Sequence, residues 1–178
     1  MKARIAVCGL LLGLMGVLFP GATFAQEASD NASVTAQLND VRPIVAQIIR
    51  DADQLKGFSL TNGPSWQTHM AVLGKIRQDV NKMQEYMRGL QAHRASASPW
   101  QQEAIDRVSS LANDLATSMN ATIDQLNKSK SRPIASPYPE FLRANAQIAR
   151  DLADEINGAI DFPQTRSKME SMEKQLPE

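Results

Sequence analysis

WQTHMAVLGKIRQDVNKMQEYMRGL, residues Trp66–Leu90, is the stretch that decides the fold. At about 100° per residue, Trp66, His69, Leu73, Ile76, Val80, Met83 and Met87 share one face of a helix. Met70 and Leu90 lie on its edges. The opposite face is charged and polar. Such a stripe is buried only by packing lengthwise on other helices. Gly74 and Gly89 lie off the stripe, and the sequence offers no reason for them.

Upstream, Val34, Leu38, Val41, Val45, Ile48, Ala52 and Leu55 recur at steps of 4, 3, 4, 3, 4 and 3. This heptad seam predicts a first helix capped by Asp30, Asn31 or Ser33. Pro43 falls on its polar side. The seam continues through it, so a kink is expected rather than a helix that begins at Pro43. Gly57 and Asn62-Gly63-Pro64 mark the first connection.

Downstream, Ser98-Pro99 is a helix-start signal. It opens a third helix to about Asn127, with the stripe Trp100, Ala104, Val108, Leu111, Leu115, Met119, Thr122 and Leu126. Asn113, Asn120 and Asn127 repeat every seven residues on the far side, as a solvated face. After Lys128–Pro137, a fourth helix is expected from Tyr138 to about Ile160. Its stripe is Tyr138, Phe141, Asn145, Ile148, Leu152, Ile156 and Ala159, and Phe162-Pro163 should stop it. Met169, Met172 and Leu176 predict a short amphipathic helix in the tail, folded back on the bundle.

Ahead of these helices, Met1–Arg4 is basic, Ile5–Phe19 is apolar, and Thr23-Phe24-Ala25 carries small residues at the positions a signal peptidase reads. This is the pattern of a secretory signal peptide cut after Ala25. The apolar run is too short for an ordinary spanning helix of about 20 residues. Cys8, the only cysteine, sits too early in the run for a lipid-anchor signal. The expected organisation is residues 1–25 as signal peptide, 26–32 as a mobile polar leader, 33–162 as the helical domain and 163–178 as the tail. The fold class is all-α: an antiparallel up-down-up-down four-helix bundle with a short C-terminal helix. No membrane-spanning segment follows the signal, and the location is periplasmic or extracellular.

Composition restricts function. Loss of Lys2 and Arg4 with the signal leaves 17 basic against 19 acidic residues, with no basic run, so nucleic acid is not an expected partner. A processed chain without cysteine has no thiol nucleophile, Cys-ligated zinc, iron–sulfur cluster or CxxCH haem site. No Glu-x-x-His pair is present for a di-iron bundle. No GxSxG, P-loop or dinucleotide loop appears. No pair of carboxylates is placed for acid–base work, and Glu155, at a stripe edge, reads as a salt-bridge residue.

Two histidines remain. His93 sits in a polar helix end, where its charged form suits the dipole. His69 is the distinctive one, because its angle places it on the buried face. A structural, hydrogen-bonded histidine is favoured over a ligand, with Asn145 the expected partner and Thr122 the other candidate. No second histidine faces the core, so haem ligation is not expected. Trp66 and Trp100 each open a helix and read as plugs at opposite ends of the bundle. The functional alternative is a pocket formed by Trp66, His69, Asn145, Tyr138 and Phe58 that takes a small apolar or aromatic ligand.

The sequence thus predicts an exported, non-enzymatic protein of binding or interaction type, without a cofactor. Its partner is another protein or a small molecule, and it is a monomer or a weak dimer. An outer apolar stripe from Ile44, Ala46, Leu142 and Ile160 is one route to a dimer. The competing reading is a cofactor- or ligand-binding bundle with its site at the Trp66/His69 end.

Overall fold

The computed structural model describes residues 30–58, 64–130 and 137–175. The expected signal peptide lies outside these residues. Within them the chain is all-helical and consistent with a helical bundle. α1 spans Ala32–Phe58, α2 Trp66–His93, α3 Pro99–Lys128 and α4 Tyr138–Glu173, with a 3-10 turn at Arg94–Ser96 between α2 and α3. α1 packs on α2 and α4, and α3 packs on the same two. The starts of α1 and α3 meet at one end, through Asn31 and Gln101. The end of α1 and the starts of α2 and α4 meet at the other, through Phe58, His69 and Tyr138.

The seam of α1 is the part that follows the sequence most closely. All seven of its residues are buried, and α1 runs unbroken through the exposed Pro43. Asn31 caps it: Ser33 N–H donates to Asn31 Oδ1 at 2.9 Å, and Val34 N–H donates to the Asn31 carbonyl at 3.1 Å. Of the expected leader, Asp30 and Asn31 are hydrogen-bonded into the bundle end, and residues 26–29 lie outside the described residues.

α4 departs from expectation in two ways. First, it does not stop at Phe162-Pro163 but runs for 36 residues, so among the described residues no separate short C-terminal helix forms and no tail folds back. A proline forfeits its own hydrogen bond to the residue four back and crowds that carbonyl. It leaves the bonds on either side intact, and Arg166–Glu170 at 2.9 Å supports the following turn. Second, the buried face is rotated. Leu142, Ala146 and Ala149 are within 2% of full burial, whereas Phe141 and Ile148 are only half-buried. Alanines on this face admit α1 and α3 close to the helix axis, and a reading weighted towards large side chains misses them.

Ile44 and Leu142, the expected outer stripe, belong to the core instead. Asn113, Asn120 and Asn127 are exposed. Gly89 has a local explanation: a Cβ there would come within 2.6 Å of Gln37 Oε1 from α1. A Cβ at Gly74 would meet nothing within 4 Å. Gly74→Ala is therefore expected to stabilise the protein by about 0.5–1 kcal/mol in denaturant unfolding, the helix-propensity difference. Gly89→Ala should gain less, because the Gln37 amide has to move.

Candidate functional site

His69 opens α2 one turn in and is 1% exposed. Its Nδ1 lies 3.1 Å from the Tyr138 hydroxyl, not against Asn145 as the sequence suggested. Phe58 and Tyr138 flank the imidazole edge-to-face, each with its ring centroid 5.5 Å away. Three of the five expected pocket residues therefore do come together, from the end of α1 and the starts of α2 and α4. They form a packed aromatic cluster, and neither the imidazole nor the fully buried Tyr138 presents a face to solvent.

Burial lowers the His69 pKa from 6.5. It also pushes the Tyr138 phenol well above the ordinary tyrosine range. Both effects disfavour charge, so the pair is a neutral hydrogen bond between two groups that hold their protons where they are. A general base has to reach a substrate proton. Here the imidazole reaches a phenol.

Trp66 and Asn145 are placed otherwise. Trp66 is half-buried, and Lys130 Nζ sits 4.6 Å from its ring centroid, a cation–π contact at the bundle end. Asn145 Nδ2 donates to Thr122 Oγ1 at 2.6 Å, and Thr122 in turn donates to the Ser118 carbonyl at 2.8 Å. His69–Asn145 fails because Tyr138 lies between the two helices with a hydroxyl of the right reach, and Thr122 takes the amide. Asn145 Oδ1 is buried without a partner among the described residues. Thr122→Val removes the acceptor of a buried amide and is expected to cost about 1–2 kcal/mol. Adding Asn145→Leu should recover most of that loss, because no orphaned polar group then remains. Urea unfolding of the single and double variants measures both.

The opposite end carries a polar network that the sequence reading missed. Gln101, in the first turn of α3, is fully buried. Its Oε1 accepts from Asn31 N–H at 2.7 Å and Ser98 N–H at 3.2 Å, while its Nε2 donates to the Asn31 carbonyl at 3.1 Å. Asp30 Oδ1 accepts from Ser98 Oγ at 2.7 Å and from Trp100 Nε1 at 2.6 Å. The signal was present: Ser98-Pro99-Trp100-Gln101 fits the S-x-x-Q capping box, which the structure contains. The Trp100 indole thus donates to a carboxylate just ahead of α1.

Beside it, Trp100, Arg107, Glu155, Gly158 and Phe162 border a surface groove of about 300 Å³ between α3 and α4. Trp100 and Phe162 stack with centroids 4.9 Å apart and planes tilted by 36°. Arg107 pairs with Glu103 and faces Glu155 at 3.8 Å, which gives Glu155 the ion-pair role expected of it. Beyond Phe162, α4 carries exposed side chains almost throughout. Phe162, Met169 and Met172 are 41%, 65% and 66% exposed.

Among the described residues, no group of three His, Cys, Asp or Glu side chains can hold a metal ion, and no helix is long and apolar enough to cross a membrane. No family model, curated protein or solved structure matches this chain.

Proposed function

We propose that this chain is an exported helical-bundle protein that works by binding another protein rather than by catalysis. The observation that carries the reading is the free end of α4, where Phe162, Met169 and Met172 are presented to solvent on one helix. Scattered surface apolar residues need no explanation, but large ones repeated along a single projecting helix are characteristic of an interaction surface. The basic start, apolar run and Thr23-Phe24-Ala25 site support export. Alternating chain direction around the helical ring, with each short connection joining neighbours, supports the up-down-up-down topology as the scaffold of that surface.

The second reading places a small ligand or cofactor at the Trp66/His69 end. What favours it is the imidazole itself, seated among Phe58 and Tyr138 where three helix ends converge. One measurement separates the two. Native mass spectrometry of the protein as isolated, together with N-terminal sequencing, is expected to give a polypeptide beginning at Gln26 with no added mass. A chain that retains Met1 overturns export. A stoichiometric non-peptide mass, or a coloured preparation, overturns the interaction reading in favour of the ligand one.

A further inference from the structure

The exposed end of α4 has a pattern that its neighbours in the bundle do not use. Phe162, Thr165, Met169 and Met172 follow one another at steps of 3, 4 and 3, the spacing of a coiled-coil seam. On the helix they fall within an arc of about 80°. The residues of α4 that face the core, Leu152, Ile156 and Ala159, are centred about 130° from the middle of that arc, with Phe162 at the edge nearer to them. The stripe is therefore not the core seam running on past the end of the bundle. Phe162 at its start leans one face on Trp100 of α3 and keeps 41% of its surface exposed, while Met169 and Met172 beyond it are 65% and 66% exposed, open to a second helix.

The flanking charges say which helix fits. Asp161 and Lys168 stand just before stripe positions on one side, and Arg166 and Glu173 stand just after on the other. In a parallel, in-register pair of these segments, each such residue meets the one five places further along the opposite helix. Asp161 then meets Arg166 of the second copy, and Lys168 meets Glu173 of the second copy. Two-fold symmetry repeats both pairs, and all four contacts are between opposite charges. An antiparallel pair centred on the stripe would instead set Lys168 against Lys168. Arg166 already bonds Glu170 in its own chain at 2.9 Å and can share its guanidinium between the two carboxylates. From Asp161 to Gln175 the three acidic and three basic residues cancel, so an anionic membrane surface has little net charge to attract.

We infer that the projecting end of α4 is a dimerisation segment, in which the Phe162–Met172 stripe pairs with the same stripe of a second copy, parallel and in register. The inference rests on the interaction reading and names its partner. The seam is only two heptads long, well below the area of a standard interface, so the dimer is weak, on the order of 100 µM.

Sedimentation equilibrium of the purified protein up to about 0.5 mM, at low salt, tests it. Wild type is expected to show a reversible monomer–dimer equilibrium. Lys168→Glu and Glu173→Lys should each weaken the dimer about tenfold, by replacing two attractive contacts with two repulsive ones. The double swap should restore it. These side chains are exposed on a helix surface, so thermal melting by circular dichroism serves as the control for folding.

Orientation has its own readout, because the only natural cysteine is Cys8. Met172→Cys should form an interchain disulfide under mild oxidation, beyond any that wild type forms. A protein that stays monomeric at the highest concentration overturns the inference. So do single charge variants that leave the equilibrium unmoved, a double swap that fails to restore it, or a Met172→Cys chain that cross-links only when mixed with Phe162→Cys, the antiparallel result. A monomer that still begins at Gln26 and carries no ligand removes only the second copy as partner, and leaves the interaction reading to other proteins.

Discussion

Gln101→Ala is expected to destabilise the protein by about 2–4 kcal/mol, although the residue lies at a helix start and carries no charge. The side chain is fully buried and joins the beginning of α3 to the beginning of α1, 70 residues away in sequence. Truncation leaves the Asn31 and Ser98 N–H groups without their acceptor, and the Asn31 carbonyl loses a donor. A buried donor left unpaired costs about 1–3 kcal/mol. Asn31 is only half-buried, so its share is at the low end. Its carbonyl keeps Val34 N–H in any case. In a domain of this size the loss should lower Tm by about 5–15 °C. Gln101→Glu tests the mechanism further: the carboxylate can still accept from both N–H groups but cannot donate to the Asn31 carbonyl, and it brings a charge into a buried site. Loss of less than about 0.5 kcal/mol in Gln101→Ala would show that water replaces the amide at no cost, and the network would then not be a clamp.

That clamp also shows where the sequence was readable and where it was not. Apolar periodicity reports which face of a helix is buried, and it placed every residue of the α1 seam inside. It says nothing about polar residues recruited to helix ends, so Gln101 was invisible to it, although the capping-box spacing from Ser98 was there to be read. The two prolines illustrate a second limit. Pro43 and Pro163 both lie within helices. Pro43 was read through because the seam carries on past it in register. Pro163 reads as a stop on proline chemistry alone, since no core stripe continues past it. The core stripe does end there, but that marks where the helix leaves the bundle rather than where it ends. In the candidate site, burial of His69 followed from its position on the stripe. The partner did not, because Asn145 and Tyr138 both lie on the buried face of α4, and periodicity alone does not rank two polar groups on the same face. Reach decides it: a phenol at the first turn of α4 extends to the first turn of α2, and a short amide two turns deeper finds Thr122.

The largest single loss is expected from Tyr138→Ala, about 3–5 kcal/mol, the usual cost of emptying a buried aromatic site. Tyr138→Phe separates the ring from the hydroxyl: it keeps the edge-to-face contact with His69 and deletes the hydrogen bond to Nδ1, for about 1–3 kcal/mol. The pair also fixes a pH dependence whose sign is set by burial. The folded His69 pKa lies below the unfolded value of 6.5, so the unfolded chain binds the proton more readily. The contribution of a neutral His69 is complete above pH 6.5 and is lost as the pH falls from there towards the folded value. His69→Phe should therefore unfold with a flatter pH profile than wild type below pH 6.5, and the difference between the two curves isolates His69 from every carboxylate. For Tyr138 the folded pKa is raised above its unfolded value of 10.0, so its contribution is complete below pH 10 and is lost as the pH rises beyond. Tyr138→Phe should lack that alkaline loss. Urea midpoints measured from pH 5 to 11 on wild type, His69→Phe and Tyr138→Phe test both arms together. Parallel profiles for wild type and His69→Phe below pH 6.5 would mean that His69 takes up its proton equally in the folded and unfolded chains, and burial would then not set the charge of the imidazole.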